Sequence, residues 1–132
     1  MLNSLFQSTT IPVLEQVVNF AEARHHVLAG NVANLDTPGY RAQDLSPAMF
    51  QARLKQEIEH REQAASLGYE PSEPATLGRP QSMDGFLYHD DSNDSLEQQV
   101  AEISKNQMQH NMALAIMSSQ FRLLQAAISE RA

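Results

Sequence analysis

The chain has 132 residues, no cysteine and no tryptophan, a length that fits one folded body and a composition that excludes disulfides, thiolate metal sites and cysteine nucleophiles. Sixteen acidic against nine basic residues give a formal charge of −7, which repels phosphate backbones and argues against nucleic acid as a partner. With aromatics at 6%, a large aromatic-rich core is not expected.

No apolar run approaches the roughly 20 residues that a bilayer-spanning helix needs, so direct membrane insertion is not expected. Residues 1–10 lack a basic start followed by a long apolar stretch, so a cleavable secretory signal is not expected either.

Leu2, Leu5 and Phe6 fall out of register with the seam that begins at Ile11, and residues 1–9 read as a separate short element. Helical periodicity occupies residues 11–35. Ile11, Leu14, Val18, Ala21, Leu28, Val32 and Leu35 recur at steps of three and four along a heptad seam that His25 interrupts. Thr10 is the expected N-cap, with Pro12 in the first turn. Asn34 is expected to end the helix in the left-handed conformation. Thr37, before a proline, is pushed to an extended backbone. Pro38-Gly39 suits the central positions of a type II turn, and Tyr40 supplies an amphipathic anchor beyond it.

Residues 41–94 are polar and hold most of the prolines and glycines. One shorter helix is predicted from Ser46-Pro47, with Phe50, Leu54 and Ile58 on one face. Beyond Ala65 the chain turns to Pro71, Pro74, Gly78, Pro80 and Gly85, which predicts loop or short extended pieces.

The final helix opens on a capping box, Asp94 with Glu97, and runs through residues 95–130 without a proline or glycine. Its predicted seam is Leu96, Val100, Ile103, Gln107, His110, Leu114, Met117, Phe121, Leu124 and Ile128. The expected fold is therefore mainly α. Long N- and C-terminal helices pack as an antiparallel coiled coil around a polar, largely irregular middle segment with one shorter helix. The divisions are 1–40 for the first helix and its turn, 41–94 for a partly flexible middle segment, and 95–132 for the last helix. The second long helix outruns the first by about three turns. An apolar stripe left in water is unfavourable, so Phe121, Leu124 and Ile128 call for a partner subunit.

Catalytic chemistry finds no footing. No Gly-rich phosphate loop is present, and the histidines (His25, His26, His60, His89 and His110) include no i,i+4 pair that would make a helical metal face. An EF-hand begun at Asp91 places Leu96 where the loop needs glycine. No nucleophile, tuned base and oxyanion site converge. The expectation is a non-enzyme with no cofactor and no metal. His25 and His110, standing on the seams, are read with Gln107 as a buried polar layer that fixes helix register at some cost in stability.

The run Gly30-Asn31-Val32-Ala33-Asn34-Leu35-Asp36-Thr37-Pro38-Gly39-Tyr40-Arg41 is more specific than any single turn. Through Asn31, Ala33, Asn34, Asp36, Thr37, Pro38, Gly39 and Tyr40 it resembles the signature that ends the N-terminal helix in the flagellar basal-body rod and hook family. The T-P-G-Y form with a short chain looks like a proximal rod member. Ser118 to Leu124 is similar to the family's closing helix. His110 stands where the family has tyrosine, and Phe86 stands where a D-G-N element has Asn. The likeness covers both ends of the chain; residues 42–80 are not diagnostic.

The resemblance implies a structural role. Such proteins leave the cytosol through the flagellar export apparatus without a cleaved signal and sit in the rod on the periplasmic side of the inner membrane. Their implied partners are other rod proteins, the ring–rod junction protein, the membrane ring and export gate, and further copies in a helical array that transmits torque. On the residues alone, the seams Ile11, Leu14, Val18, Leu28, Val32, Leu96, Val100, Ile103, Leu114, Met117, Phe121, Leu124 and Ile128 present more apolar surface than two helices cover internally. Repetition of a heterologous contact then builds an open array. Two rivals are a soluble helical adaptor or chaperone binding one partner helix, and a small hydrolase built on His89.

Overall fold

A computed structural model describes residues 9–69, 86–89 and 96–130. Helix α1 spans Ile11–Ala33. Pro12 costs it no internal hydrogen bond, because the first amides of a helix lack partners anyway. Thr10 occupies the N-cap position but makes no side-chain cap; the Thr9 hydroxyl instead accepts from the Ile11 amide at 3.3 Å. At the other end Asn34 has φ −108°, ψ 11°, not the expected left-handed conformation. Its side chain instead reinforces the last turn: Nδ2 donates to the Gly30 carbonyl at 2.9 Å, which also accepts from the Asn34 amide at 3.1 Å.

Strand β1 (Gln43–Leu45) comes next, then helix α2 (Pro47–Ser66). Ser46 caps α2 by accepting from the Met49 amide at 3.3 Å. The helix closes on Gly68 at φ +77°. The Gly68 amide donates to Ala65 and the Tyr69 amide to Ala64, the paired bonds of a Schellman end. Strand β2 (Leu87–His89) pairs antiparallel with β1 in the register Gln43 with His89, Asp44 with Tyr88 and Leu45 with Leu87. Helix α3 (Leu96–Ser129) completes the chain.

The core is small and sits where α1, β1 and α2 meet. Phe20, Leu45, Phe50 and Phe86 are buried together, with Val17, Ala23, Val27 and Leu54 packed on them. Phe20 and Phe50 stack at 4.1 Å, and Phe86 meets both edge-on at 6.0 Å. The Arg53 guanidinium lies 4.8 Å above the Phe86 ring, a favourable cation–π position. Three of the five phenylalanines thus form the centre, so a composition poor in aromatics still yields a compact aromatic nucleus.

Helices α1 and α3 run antiparallel: Asn31 meets Gln99, Arg24 meets Glu102, and Ala21 meets Asn106. With 34 residues against 23, α3 is longer by about 16 Å at 1.5 Å per residue. Its inward line differs from the predicted one. Gln99, Asn106 and Ala113 are buried, and Ile103, His110, Met117 and Leu124 are half-buried, whereas Leu96, Val100, Gln107, Leu114, Phe121 and Ile128 are exposed. The two lines share every second position, so the helix is turned by about half of its 100° per-residue step. Polar bonding decides the turn. Gln99 and Asn106 reach a side chain and a carbonyl of α1, and the small Ala113 allows close approach. On α1, Ile11, Ala21 and Leu28 are buried and Leu14, Val18 and Val32 are half-buried; Leu35, past the end of the helix, is exposed. The proposed capping box at Asp94, the acidic stretch from Asp90, and Leu2, Leu5 and Phe6 lie outside the described residues.

Candidate functional site

The segment after α1 forms the turn that Pro38-Gly39 predicts. The Tyr40 amide donates to the Thr37 carbonyl at 3.1 Å, and Gly39 has φ +77°, the left-handed value that a type II turn requires of its third residue. A Cβ at Gly39 would meet no atom within 4 Å, so the demand there is on the backbone and not on space. Thr37, Pro38, Gly39 and Asp36 face solvent, as does Ala33. Asn34 braces the turn: its carbonyl accepts from the Thr37 amide at 2.9 Å, and its Oδ1 from the Thr37 hydroxyl at 3.4 Å.

Asn31 organises the joint. Its side chain is buried at 2% exposure, and both ends of its carboxamide are fully used. Oδ1 accepts from the Gln43 amide at 3.0 Å and from the Tyr40 hydroxyl at 3.1 Å. Nδ2 donates to the Gln43 carbonyl at 2.6 Å and to Gln99 Oε1 at 3.3 Å. One side chain on α1 therefore ties the turn, β1 and α3 together.

Two turns earlier, Arg24 repeats the pattern with charge. Nε and Nη2 reach both oxygens of Asp44 at 2.8 and 2.7 Å, and Nη2 also reaches Glu102 at 2.9 Å. Burial alone would lower the Arg24 pKa, but hydrogen bonds to Asp44 and Glu102, with their charges, outweigh it and raise it. Glu102 is held below the usual carboxylate range, first by Lys105 at 2.7 Å and then by Arg24. A planar guanidinium with a bidentate partner has one geometry, so this cluster fixes how α1, β1 and α3 sit together.

Further along the helix pair, Ala21, Glu22, His25, His26, Asn106, Gln107 and His110 line a polar cavity of about 340 Å³. Asn106 Nδ2 donates to the Ala21 carbonyl at 2.7 Å. Three buried atoms, Asn106 Oδ1, His25 Nδ1 and His110 Nδ1, have no hydrogen-bond partner among the described residues. His25 and His110 thus flank one cavity. Gln107 stands at its rim, exposed, and bonds Asn111 within its own helix at 3.1 Å. Sequence reasoning misses Arg24, Gln43 and Gln99. The interruption of an apolar helix by Arg24 and Gln99 is the available signal.

Among the described residues no group of three or more His, Cys, Asp or Glu could hold a metal. No helix among them is long and apolar enough to cross a membrane. The arrangement holds three chain segments together and leaves Leu96, Val100, Leu114 and Ile128 of α3 exposed.

No family model matches the chain, and no solved structure matches it. Several relatives match it over most of its length. It is 28% identical over 130 residues to the flagellar basal body rod protein FlgB of Bacillus subtilis, covering 96% of this chain and 97% of the relative. It is 26% identical over 122 residues to that of Aquifex aeolicus, covering 92% and 94%. It is 25% identical over 119 residues to that of Escherichia coli, covering 82% and 84%. Relatives from such different bacteria carry one name, and the chain is similar over most of its length to these flagellar basal body rod proteins FlgB.

Proposed function

We propose that the chain is a structural subunit of the proximal flagellar rod, polymerising through its terminal helices to join the membrane ring and export gate to the rest of the rod. The observation that carries this reading is the placement of residues on α3. Its polar Gln99 and Asn106 face inward, while Leu96, Val100, Leu114 and Ile128 remain 42–53% exposed. A helix that spends polar groups on its internal contact and keeps aliphatic ones outside is suited to burial against neighbours. The relatives' shared description as rod proteins supports the same role.

In this role the Asn31 and Arg24 clusters hold the middle segment at a set angle to the helix pair. The seams Ile11, Leu14, Val18, Leu28, Val32, Ile103 and Met117 join the two helices, and the exposed α3 residues with Phe121 and Leu124 meet neighbouring subunits. His25, Gln107 and His110 serve as a polar layer that keeps the helices in register. Partners are other rod proteins, the ring–rod junction protein and further copies; the work is mechanical and non-enzymatic. Transport through the flagellar export route places the protein in the rod on the periplasmic side of the inner membrane.

The test is deletion of the gene, then purification of basal bodies. Cells without the protein should be non-motile and lack rods. An epitope-tagged copy should restore swimming and co-purify with basal bodies. A swimming deletion strain with complete rods would remove the role. A protein that instead co-purifies with one soluble partner would favour the helical adaptor.

A further inference from the structure

The polar cavity between α1 and α3 brings three atoms with unused lone pairs together. His25 Nδ1 comes from α1, and Asn106 Oδ1 and His110 Nδ1 come from α3. Asn106 is 2% exposed, and its amide is held one way round. Nδ2 is committed to the Ala21 carbonyl at 2.7 Å, which leaves Oδ1, an acceptor only, for the cavity. A neutral imidazole protonated at Nε2 likewise offers a lone pair at Nδ1. Leaving such buried atoms unmatched is costly, and imidazole nitrogen suits zinc, copper and nickel. Charge agrees with a cation. Glu22 lines the same cavity and no lysine or arginine does. The volume of about 340 Å³ holds an ion and leaves room for water at its remaining positions.

We propose that this cavity binds a divalent transition-metal ion of the zinc and copper class through His25 Nδ1, His110 Nδ1 and Asn106 Oδ1. The set is two histidines and an amide. It is therefore distinct from a group of three or more His, Cys, Asp or Glu, of which the described residues hold none. The two histidines stand on different helices, so spacing along either helix gives no metal signal. A bound ion cross-links α1 to α3 at the level where the apolar seams are interrupted. The site goes beyond the rod reading and does not depend on it.

The test uses the purified, metal-free chain. Calorimetric titration with zinc chloride should give one ion per chain, and magnesium chloride should give no binding, because magnesium prefers oxygen ligands. In nitrogen NMR spectra Nδ1 of His25 and of His110 should shift together as zinc is added, while His26, His60 and His89 stay in place. His25→Gln and His110→Gln should each weaken zinc binding about tenfold or more, and should remove the rise in Tm that zinc gives the parent. His60→Gln should change neither. Absence of binding overturns the site, and so does binding that leaves His25 or His110 unshifted or follows His26, His60 or His89; the three atoms are then satisfied by water alone. The spectra of the parent chain decide the question even where a variant fails to fold.

Discussion

Asn31 pairs with Gln43 as a strand would. Its carboxamide offers an acceptor to the Gln43 amide at 3.0 Å and a donor to the Gln43 carbonyl at 2.6 Å. The edge of β1 is thus hydrogen-bonded on one side to β2 and on the other to a side chain of α1. Backbone polar groups buried without partners are expensive, and Asn is the shortest side chain that supplies both a donor and an acceptor in one plane.

Asn31→Ala should therefore cost more than the loss of one hydrogen bond. It leaves both Gln43 groups, the Tyr40 hydroxyl and Gln99 without their contacts to this side chain, and we expect destabilisation of about 2–4 kcal/mol. Tyr40→Phe removes one of these bonds and should cost about 1 kcal/mol. Urea unfolding of the two variants against the parent checks the ratio; equal costs would mean that the Gln43 pairing contributes little.

The acid limb of the stability profile should depend on Glu102. Lys105, and after it Arg24, hold this carboxylate below its ordinary value of 4.5. A group whose folded pKa is depressed contributes stability that is fully present above the unfolded value and is lost as pH falls through the folded one. Stability should thus drop as pH falls below about 4.5, and Glu102→Gln should flatten that part of the curve. Lys105 is largely exposed, so its share should shrink in high salt. Unfolding midpoints measured across the acid range at two ionic strengths give the answer.

Gly39→Ala places a side chain at φ +77° with no steric obstacle nearby. The expected cost is that of the left-handed backbone, about 1–2 kcal/mol. Pro38→Ala should cost about 0.5 kcal/mol by freeing the unfolded chain. Both variants should be exported normally and assemble into rods less completely. Intact rods with parental mechanical behaviour in both would remove the turn from the assembly role.

Replacing His25 and His110 together by leucine should raise the unfolding midpoint, by roughly 1–2 kcal/mol in stability, because buried polar atoms that lack partners are traded for apolar contact. The same change should loosen helix register, visible as heterogeneous disulfide pairing between cysteines placed on α1 and α3. A less stable double variant with unchanged pairing would argue against a register layer.

How far the fold is legible in the sequence depends on the length of each signal. The periodicity of residues 11–35 and 95–130, the Ser46-Pro47 start and the Thr37–Tyr40 turn are strong local patterns; the helices form over Ile11–Ala33 and Leu96–Ser129, and the start and the turn form as expected. The facing of α3 is not local. Leu96, Val100 and Leu114 make the more apolar stripe, but Gln99 and Asn106 find partners on α1, and those bonds outweigh the loss of aliphatic burial. Strands of three residues carry no usable period, so β1 and β2 leave no trace in the pattern. Phe86 stands out in the sequence only as a departure from a family motif, yet it is 1% exposed at the centre of the core. Asn31 belongs to a recognisable signature; its partners across β1 and α3 depend on chain reversal that no spacing encodes.

Helix α3 continues without proline or glycine from the Glu102 cluster to its exposed end at Ser129. A twist or push applied to that end meets no hinge before it reaches Asn106 and Glu102. There the load passes through side-chain bonds into α1, and through Asp44 into the small sheet. The protein is in this sense a lever with its fulcrum at a buried arginine. Wherever its tip is gripped, movement of the tip becomes movement of the whole joint.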